Sequence, residues 1–352
     1  MNELKLTREF DNHFFLTKIC MIYIGLWPLD GACNDLKRNL KVFTGYFFVV
    51  SLILVELYDI YFYSSGSIEA TAEIVITMTY AFGGLMKISH FLKEFGVFKD
   101  MWHTMHVDWT GVLGNDQERS YRSHVMRRIT IKTRKYCRQY ALLTLGAAVM
   151  YMTMPFIGNQ AHRVRKYPFF GRYYYDDQSD LVYILCYFSQ VITGTFCATT
   201  NYALDTLFLI CSYHMCAQLK ILKHDLIKMS KENVAQRLTC LIRRHQREIR
   251  NVKKLQKVFS NVGFWQLFVA CVITCINIFK MLNSQALGDA IYKSGWLDFQ
   301  GNYKRDLKFM IHRCQLPLTI TAGKIYTLSI ANFMEVIVNY IICQLSNQTC
   351  RL

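Results

Sequence analysis

The sequence reads as an all-α, polytopic transmembrane helix bundle. Three features carry that reading. Six apolar runs are each long enough to cross a hydrocarbon layer about 30 Å thick, which takes about 20 helical residues. None of the runs alternates with period two, and lipid admits only helices or closed barrels, so the runs are helices. The formal net charge of +16 is concentrated in the segments between runs, as in cytoplasmic loops. A nucleic-acid-binding protein of the same charge would lack the apolar runs, so no nucleic-acid partner is expected. Apolar residues make up 52% of the 352 and charged residues 19%, to either side of soluble-domain averages.

Taken in order, residues 1–41 form a cytoplasmic N-terminal segment. Glu3, Lys5, Arg8, Glu9 and Asp11 interrupt it and exclude a signal peptide. Its apolar run from Ile19 to Leu29 is too short to span, and is expected at the interface or against the bundle. The spans lie near Val42–Tyr63, Ala70–Leu92, Tyr140–Ile157, Leu181–Cys211, Phe264–Leu282 and Leu316–Leu345. Ten Lys and Arg residues lie between spans two and three, and twelve between spans four and five. The Ser64–Glu69 connection has none, and Gly158–Asp180 mixes Arg163, Arg165 and Lys166 with Asp176, Asp177 and Asp180. The positive-inside rule then places the N-terminus in the cytoplasm. From Ser212 to Phe259, Leu241, Ile242, Ile249, Val252, Leu255 and Phe259 recur at helical spacing among basic residues. Long helices projecting into the cytoplasm and packing on each other fit this pattern. A calmodulin-type or lipid-binding basic helix is the alternative. Only four prolines occur and no linker interrupts the chain, so it reads as a single membrane-embedded domain. Within it, 42–282 form the bundle and 283–352 the final lead-in and last-helix region.

No metalloprotease, nucleophile-elbow, P-loop or dinucleotide-binding motif is present, so the chain is not expected to be an enzyme and no catalytic residue is nominated. The thirteen cysteines include no CxxC pair, and the scattered histidines have no zinc spacing; neither a metal site nor a cofactor is expected. Cys186, Cys197, Cys271 and Cys275 lie inside apolar runs, as small buried residues do. In the last run, Asn332, Glu335, Asn339 and Ser346 fall on one helix face, with Ile330, Ile337 and Ile341 opposite. Such a stripe either lines an aqueous pore or serves as polar glue between helices. Glu56 and Asp59 flank Tyr58 in the outer part of span one, facing either a wet cavity or the interface. Aromatic and sulfur side chains crowd the outer halves of several spans. Tyr58, Met78, Tyr80, Met150, Tyr151, Tyr183, Tyr187, Phe188 and Val191 are the candidates for an apolar pocket suited to small lipophilic ligands. Ordinary packing and the interfacial aromatic belt are the competing account.

Several strings together resemble the insect odorant receptors, specifically the divergent odorant-tuning subunits of that seven-transmembrane chemoreceptor superfamily. They are Gly25-Leu26-Trp27-Pro28, Asp108-Trp109, His245 in the basic helix, Ala290 to Trp296, Arg305 to Leu318, Thr321 to Ser329, and Phe333. The resemblance implies seven membrane helices, a cytoplasmic N-terminus and an extracellular C-terminus. It implies a hetero-tetramer with a shared odorant co-receptor subunit, forming an odorant-gated, non-selective cation channel in the plasma membrane of an olfactory sensory neuron. It implies that the last helix lines the pore and that the odorant pocket lies in the outer half of the bundle.

Two departures stand out. Six spans are counted rather than seven, because span five runs straight into Asn283-Ser284-Gln285 where the family has a further helix before the equivalent of Ala290. The stretch from Asn339 to Leu352 lacks the family's aromatic, serine-rich ending. A splice variant lacking one helix would have both features. A gustatory-type channel of the same superfamily is the near rival, though the spacing of Asn339-Tyr340 to Gln344-Leu345 does not match its ending. A G-protein-coupled receptor is the rival of another class; its Asp-Arg-Tyr and Asn-Pro-x-x-Tyr motifs are missing and its charge bias is reversed.

Overall fold

A computed structural model describes residues 14–27, 32–63, 68–112, 117–162, 167–169, 179–228 and 234–293, with 305, 321–322 and 326–327. Seven helices occur among the described residues: α1 (Phe15–Tyr23), α2 (Ala32–Tyr63), α3 (Ile68–Lys93), α4 (Phe95–Val112), α5 (Gln117–His162), α6 (Asp180–Ile227) and α7 (Val234–Lys293). Contacts divide the chain into two compact units, Met1–Val269 and Ala270–Leu352. The first holds the bundle.

α6 is the axis of that unit. Most of its residues from Tyr187 to Ile221 are buried, with Phe188, Phe208 and Leu219 among those exposed, and α1, α2, α3 and α5 all pack on it. A helix that is apolar all round belongs in an interior. The others show one face each. α2 buries Val49, Leu52, Glu56 and Asp59, at helical spacing, and turns Phe43, Phe47, Val50, Leu54, Leu57 and Tyr61 outward. Its polar residues point in and its apolar residues out, the reverse of a soluble helix and the arrangement lipid favours. By length and composition, three described helical stretches can cross a membrane: Leu36–Phe62, Asp180–Ile227 and Val234–Asn277. Of the other expected spans, Ala70–Leu92 lies in α3 and Tyr140–Ile157 in α5, while Leu316–Leu345 lies outside the described residues apart from 321–322 and 326–327. Helices nonetheless occupy all five expected positions from Val42 to Leu282.

The short N-terminal run lies against the bundle, one of its two expected placements. α1 buries Thr17, Cys20 and Met21, and the Thr17 hydroxyl donates to that of Thr206 at 3.1 Å. α1 closes on Gly25, whose φ is +78°. Leu26 N–H donates to Met21 C=O at 2.8 Å and Gly25 N–H to Ile22 C=O at 3.3 Å, the paired bonds of a Schellman stop. A Cβ at Gly25 would sit 2.8 Å from the Arg38 carbonyl oxygen, so the Gly-Leu-Trp string is fixed by sterics as well as by φ.

The basic segment from Ser212 to Phe259 is helical on both sides of residue 228, and its cations are used in packing. Arg122 of α5 and Arg244 of α7 converge on Asp225 of α6 at 2.7 and 2.6 Å. Arg247 pairs with Asp108 of α4 at 2.9 Å, and His214 of α6 approaches the same carboxylate at 3.6 Å. Lys257 pairs with Glu94 at 3.1 Å. α7 continues without a break through Lys293, past the end of span five.

One expectation is corrected. Within the last apolar run, Thr321–Ala322 and Tyr326–Thr327 are extended and pair antiparallel, Thr321 opposite Thr327 and Ala322 opposite Tyr326. Thr and Tyr favour extended backbone, and the three intervening residues include Gly323, a common hairpin composition. The helix expected from Leu316 therefore does not include these four residues.

Candidate functional site

Where the C-terminal part of α5 meets the N-terminal part of α6, the two helices run side by side and residues 167–169 lie over them. Pro155, inside α5, has no N–H to give the Tyr151 carbonyl. In that same turn the Tyr187 hydroxyl of α6 donates to the Met152 carbonyl. The Phe169 N–H donates to Gln190 Oε1 at 2.8 Å, and Gln190 Nε2 donates to the Phe169 carbonyl at 3.3 Å. This two-way amide clamp holds the segment down on α6. The Phe169 ring sits 5.5 Å from that of Tyr151, and Tyr167 sits 5.2 Å from Tyr183, which is 6.0 Å from Tyr187. Gly194 leaves room for the cluster: a Cβ there would lie 2.6 Å from Met152 Cε and 2.9 Å from Phe169 Cζ.

Of the nine nominated ligand residues, the structure brings Tyr151, Tyr183 and Tyr187 together here. Val191 is half-buried one turn further along α6, its carbonyl accepting from Thr195. Tyr58 packs on Phe62 at 4.7 Å within α2, and Met78 is half-buried on α3. Tyr80, 37% exposed on α3, is hydrogen-bonded to Asn201. Met150 and Phe188 point outward, 72% and 63% exposed, and join none of these groups. The nominated pore stripe, Asn332, Glu335, Asn339 and Ser346, lies outside the described residues.

Two groups escaped the sequence reading. The first is the clamp of Gln190 with residues 167–169. Its only sequence signal is a Gln one helical turn after Tyr187 in an apolar run. The second is a polar knot at mid-bundle. Lys87 of α3, 1% exposed, donates to Asn201 Oδ1 at 2.5 Å and to Gln266 Oε1 of α7. It lies 3.9 Å from Asp205, whose other oxygen accepts from the Tyr140 hydroxyl of α5 at 2.6 Å. A lysine inside an apolar run was the visible signal, and such residues mark function or specific pairing. The knot joins α3, α5, α6 and α7.

Glu56 is also placed. It is fully buried, and its Oε1 accepts from the Thr77 hydroxyl of α3 at 2.5 Å. The inward of its two expected orientations is therefore the one observed. Toward the N-terminal part of α5, a cavity of about 10 Å³, the room of one water, is lined by Met105, Met126, Thr130, Thr133, Ile210 and His214. It is too small for an organic ligand.

Among the described residues no group of three His, Cys, Asp or Glu side chains is placed to hold a metal ion. What the outer site offers is apolar and aromatic surface with a few hydroxyl, amide and carboxyl groups. That suits non-covalent binding of a small lipophilic molecule and no bond-making chemistry.

Comparison with known proteins agrees. The family model described as 7tm odorant receptor matches residues 67–283 and 281–340. Odorant receptor 9a of Drosophila melanogaster is 23% identical over 245 residues, 57% of this chain and 61% of its own length. The olfactory receptor OR5 from Machilis hrabei superposes with a TM-score of 0.61 at 14% identity, covering 98% of this chain and 99% of that one. The structure of the same receptor in complex with eugenol gives a TM-score of 0.61 at 12% identity, covering 98% and 100%. At those identities the two superpositions establish the fold.

Proposed function

We propose, from the premise that this chain belongs to the 7tm odorant receptor family, that it detects small lipophilic odorants as the tuning subunit of a ligand-gated cation channel. It is a multi-pass membrane protein of a chemoreceptor family rather than an enzyme family. That membership replaces the gustatory and G-protein-coupled readings. The observation that carries the proposal is the chamber wall made by Tyr151, Tyr183 and Tyr187 with the clamped segment 167–169. It combines apolar rings with fixed polar groups, and it abuts helices that lead to the knot at Lys87 and so to α7. The OR5 structure with eugenol supports a small aromatic or terpenoid-sized ligand in this fold.

On this reading the chain assembles with a shared co-receptor subunit in the plasma membrane, its N-terminus in the cytoplasm. Ligand packed against α5 and α6 favours the open state through a difference in affinity between states. Asn332, Glu335, Asn339 and Ser346 line the pore, with Glu335 attracting cations; the family resemblance is their support. The test is co-expression with the co-receptor subunit and recording of currents across an odorant panel. At least one odorant evokes a current that the co-receptor alone does not give, and Tyr187→Ala shifts its dose–response curve. Silence with both subunits at the cell surface, or identical curves for parent and variant, overturns the proposal.

A further inference from the structure

Glu56 has an oxygen with nothing to bond. Its side chain is fully buried on α2, and while Oε1 accepts from Thr77, Oε2 is shielded from solvent with no hydrogen-bond partner. Buried carboxyl oxygens are nearly always satisfied, because leaving one bare forfeits its hydration with no return. Other carboxylates of the bundle have a cation beside them: Asp108 and Glu248 have Arg247, Asp205 has Lys87, and Asp225 has two arginines. Glu56 has only a threonine.

Its surroundings are those of the chamber. Tyr151 of α5 lies within electrostatic reach of Glu56 and of Glu73, and Cys197 of α6 lies within reach of Glu56. Tyr151 in turn packs on Phe169. Glu56 therefore lies within reach of side chains of α3, α5 and α6. The sequence supplies no internal cation in these helices: 42–63 of α2, 68–86 of α3, 139–162 of α5 and 180–219 of α6 contain no Lys or Arg. Glu73 of α3 also lies within electrostatic reach of Tyr151.

We propose that Glu56 is the polar anchor of the ligand chamber, its free oxygen accepting a hydrogen bond from the head group of a small lipophilic ligand that carries a donor, an alcohol, phenol or amine. Thr77 acts as a positioning residue that fixes the carboxyl group so that Oε2 faces the ligand. The inference rests on the odorant-receptor reading and narrows its ligand class. A site built to bond a ligand donor discriminates strongly against analogues without one, whereas apolar walls alone discriminate weakly.

The experiment uses the full chain co-expressed with the co-receptor subunit and matched eight-carbon probes: 1-octanol and 1-octylamine as donors, heptyl methyl ether and octane without donors. The parent responds to at least one donor probe at a concentration about tenfold or more below the non-donors. Glu56→Met, which keeps bulk and removes both oxygens, brings that ratio close to one while the non-donor responses stay. The octanol and octylamine arms separate a neutral from a cationic head group. Thr77→Val keeps shape and removes the positioning hydroxyl; it narrows the ratio in part and serves if Glu56→Met fails to reach the surface. A parent with no donor preference, or a ratio unchanged in the variants, overturns the anchor and leaves the receptor reading standing. Silence to these probes and to a broad odorant panel, with both subunits at the surface, overturns the receptor reading and the anchor with it.

Discussion

Replacing Lys87 with methionine is the sharpest test of how the bundle is held. Methionine matches the lysine stem in length and fills the same space, so the change removes a charged donor and little volume. Three acceptors lose their partner: Asn201 Oδ1, Gln266 Oε1 and the Asp205 carboxylate. Asn201 keeps its own amide bond to the Cys197 carbonyl and its bond with Tyr80, and Asp205 keeps Tyr140. Breaking one side of a buried ion pair costs about 3–5 kcal/mol, mostly because the other charge is stranded. At about 2–4 °C per kcal/mol for a chain of this order of size, the loss is roughly 6–20 °C in Tm.

The assay is thermal unfolding of the detergent-solubilised chain, followed by size-exclusion fluorescence. If the stranded charge is the cause, Asp205→Asn in the same chain restores part of the lost stability, since the two sites are coupled and their effects do not add. Asp205→Asn alone costs less, because its carboxylate is a quarter exposed and keeps the Tyr140 contact. A Lys87→Met chain that melts within about 2 °C of the parent would refute the reasoning. So would a double variant less stable than the single one.

Three further outcomes follow from the same structure. Gly25→Ala costs about 1–2 kcal/mol from the left-handed backbone alone, plus the close approach to Arg38, and is read as a lower Tm. Asp225→Ala frees Arg122 and Arg244 together and costs about 1–3 kcal/mol, whereas Arg122→Ala costs less because Arg244 remains; equal losses would argue against the shared pairing. Gly194→Val intrudes on Met152 and Phe169, which are flexible side-chain ends, so Tm changes little. Dose–response curves for bulky odorants shift further than those for small ones, and a uniform shift across ligand sizes would count against Gly194 as part of the chamber wall.

Much of the fold was legible because lipid removes options. Once backbone groups must be satisfied internally, apolar length fixes the helices. The helical extension from Ser212 to Phe259 followed from plain periodicity. What periodicity cannot do is separate an inward face from an outward one in a helix that is apolar all round. Met150 and Tyr151 are adjacent in sequence and chemically alike to such a reading, yet one points outward and the other meets Phe169. Phe188 and Tyr187 divide in the same way. The residues that could have settled the faces were the polar ones. Glu56 and Lys87 are the charges a lipid-facing helix does not turn outward, and each marks the inner side of its helix. One turn from Tyr187, Gln190 does the same for α6. In a membrane bundle the buried face is written by its few polar residues, and the aromatic majority only fills in around them. Reading Glu56 first, then asking which aromatics share its side, leads to Tyr151 and Thr77 and passes over Met150. Glu56, with one carboxyl oxygen bonded to Thr77 and the other unpaired, is therefore the proposed place to test ligand selectivity in this chain.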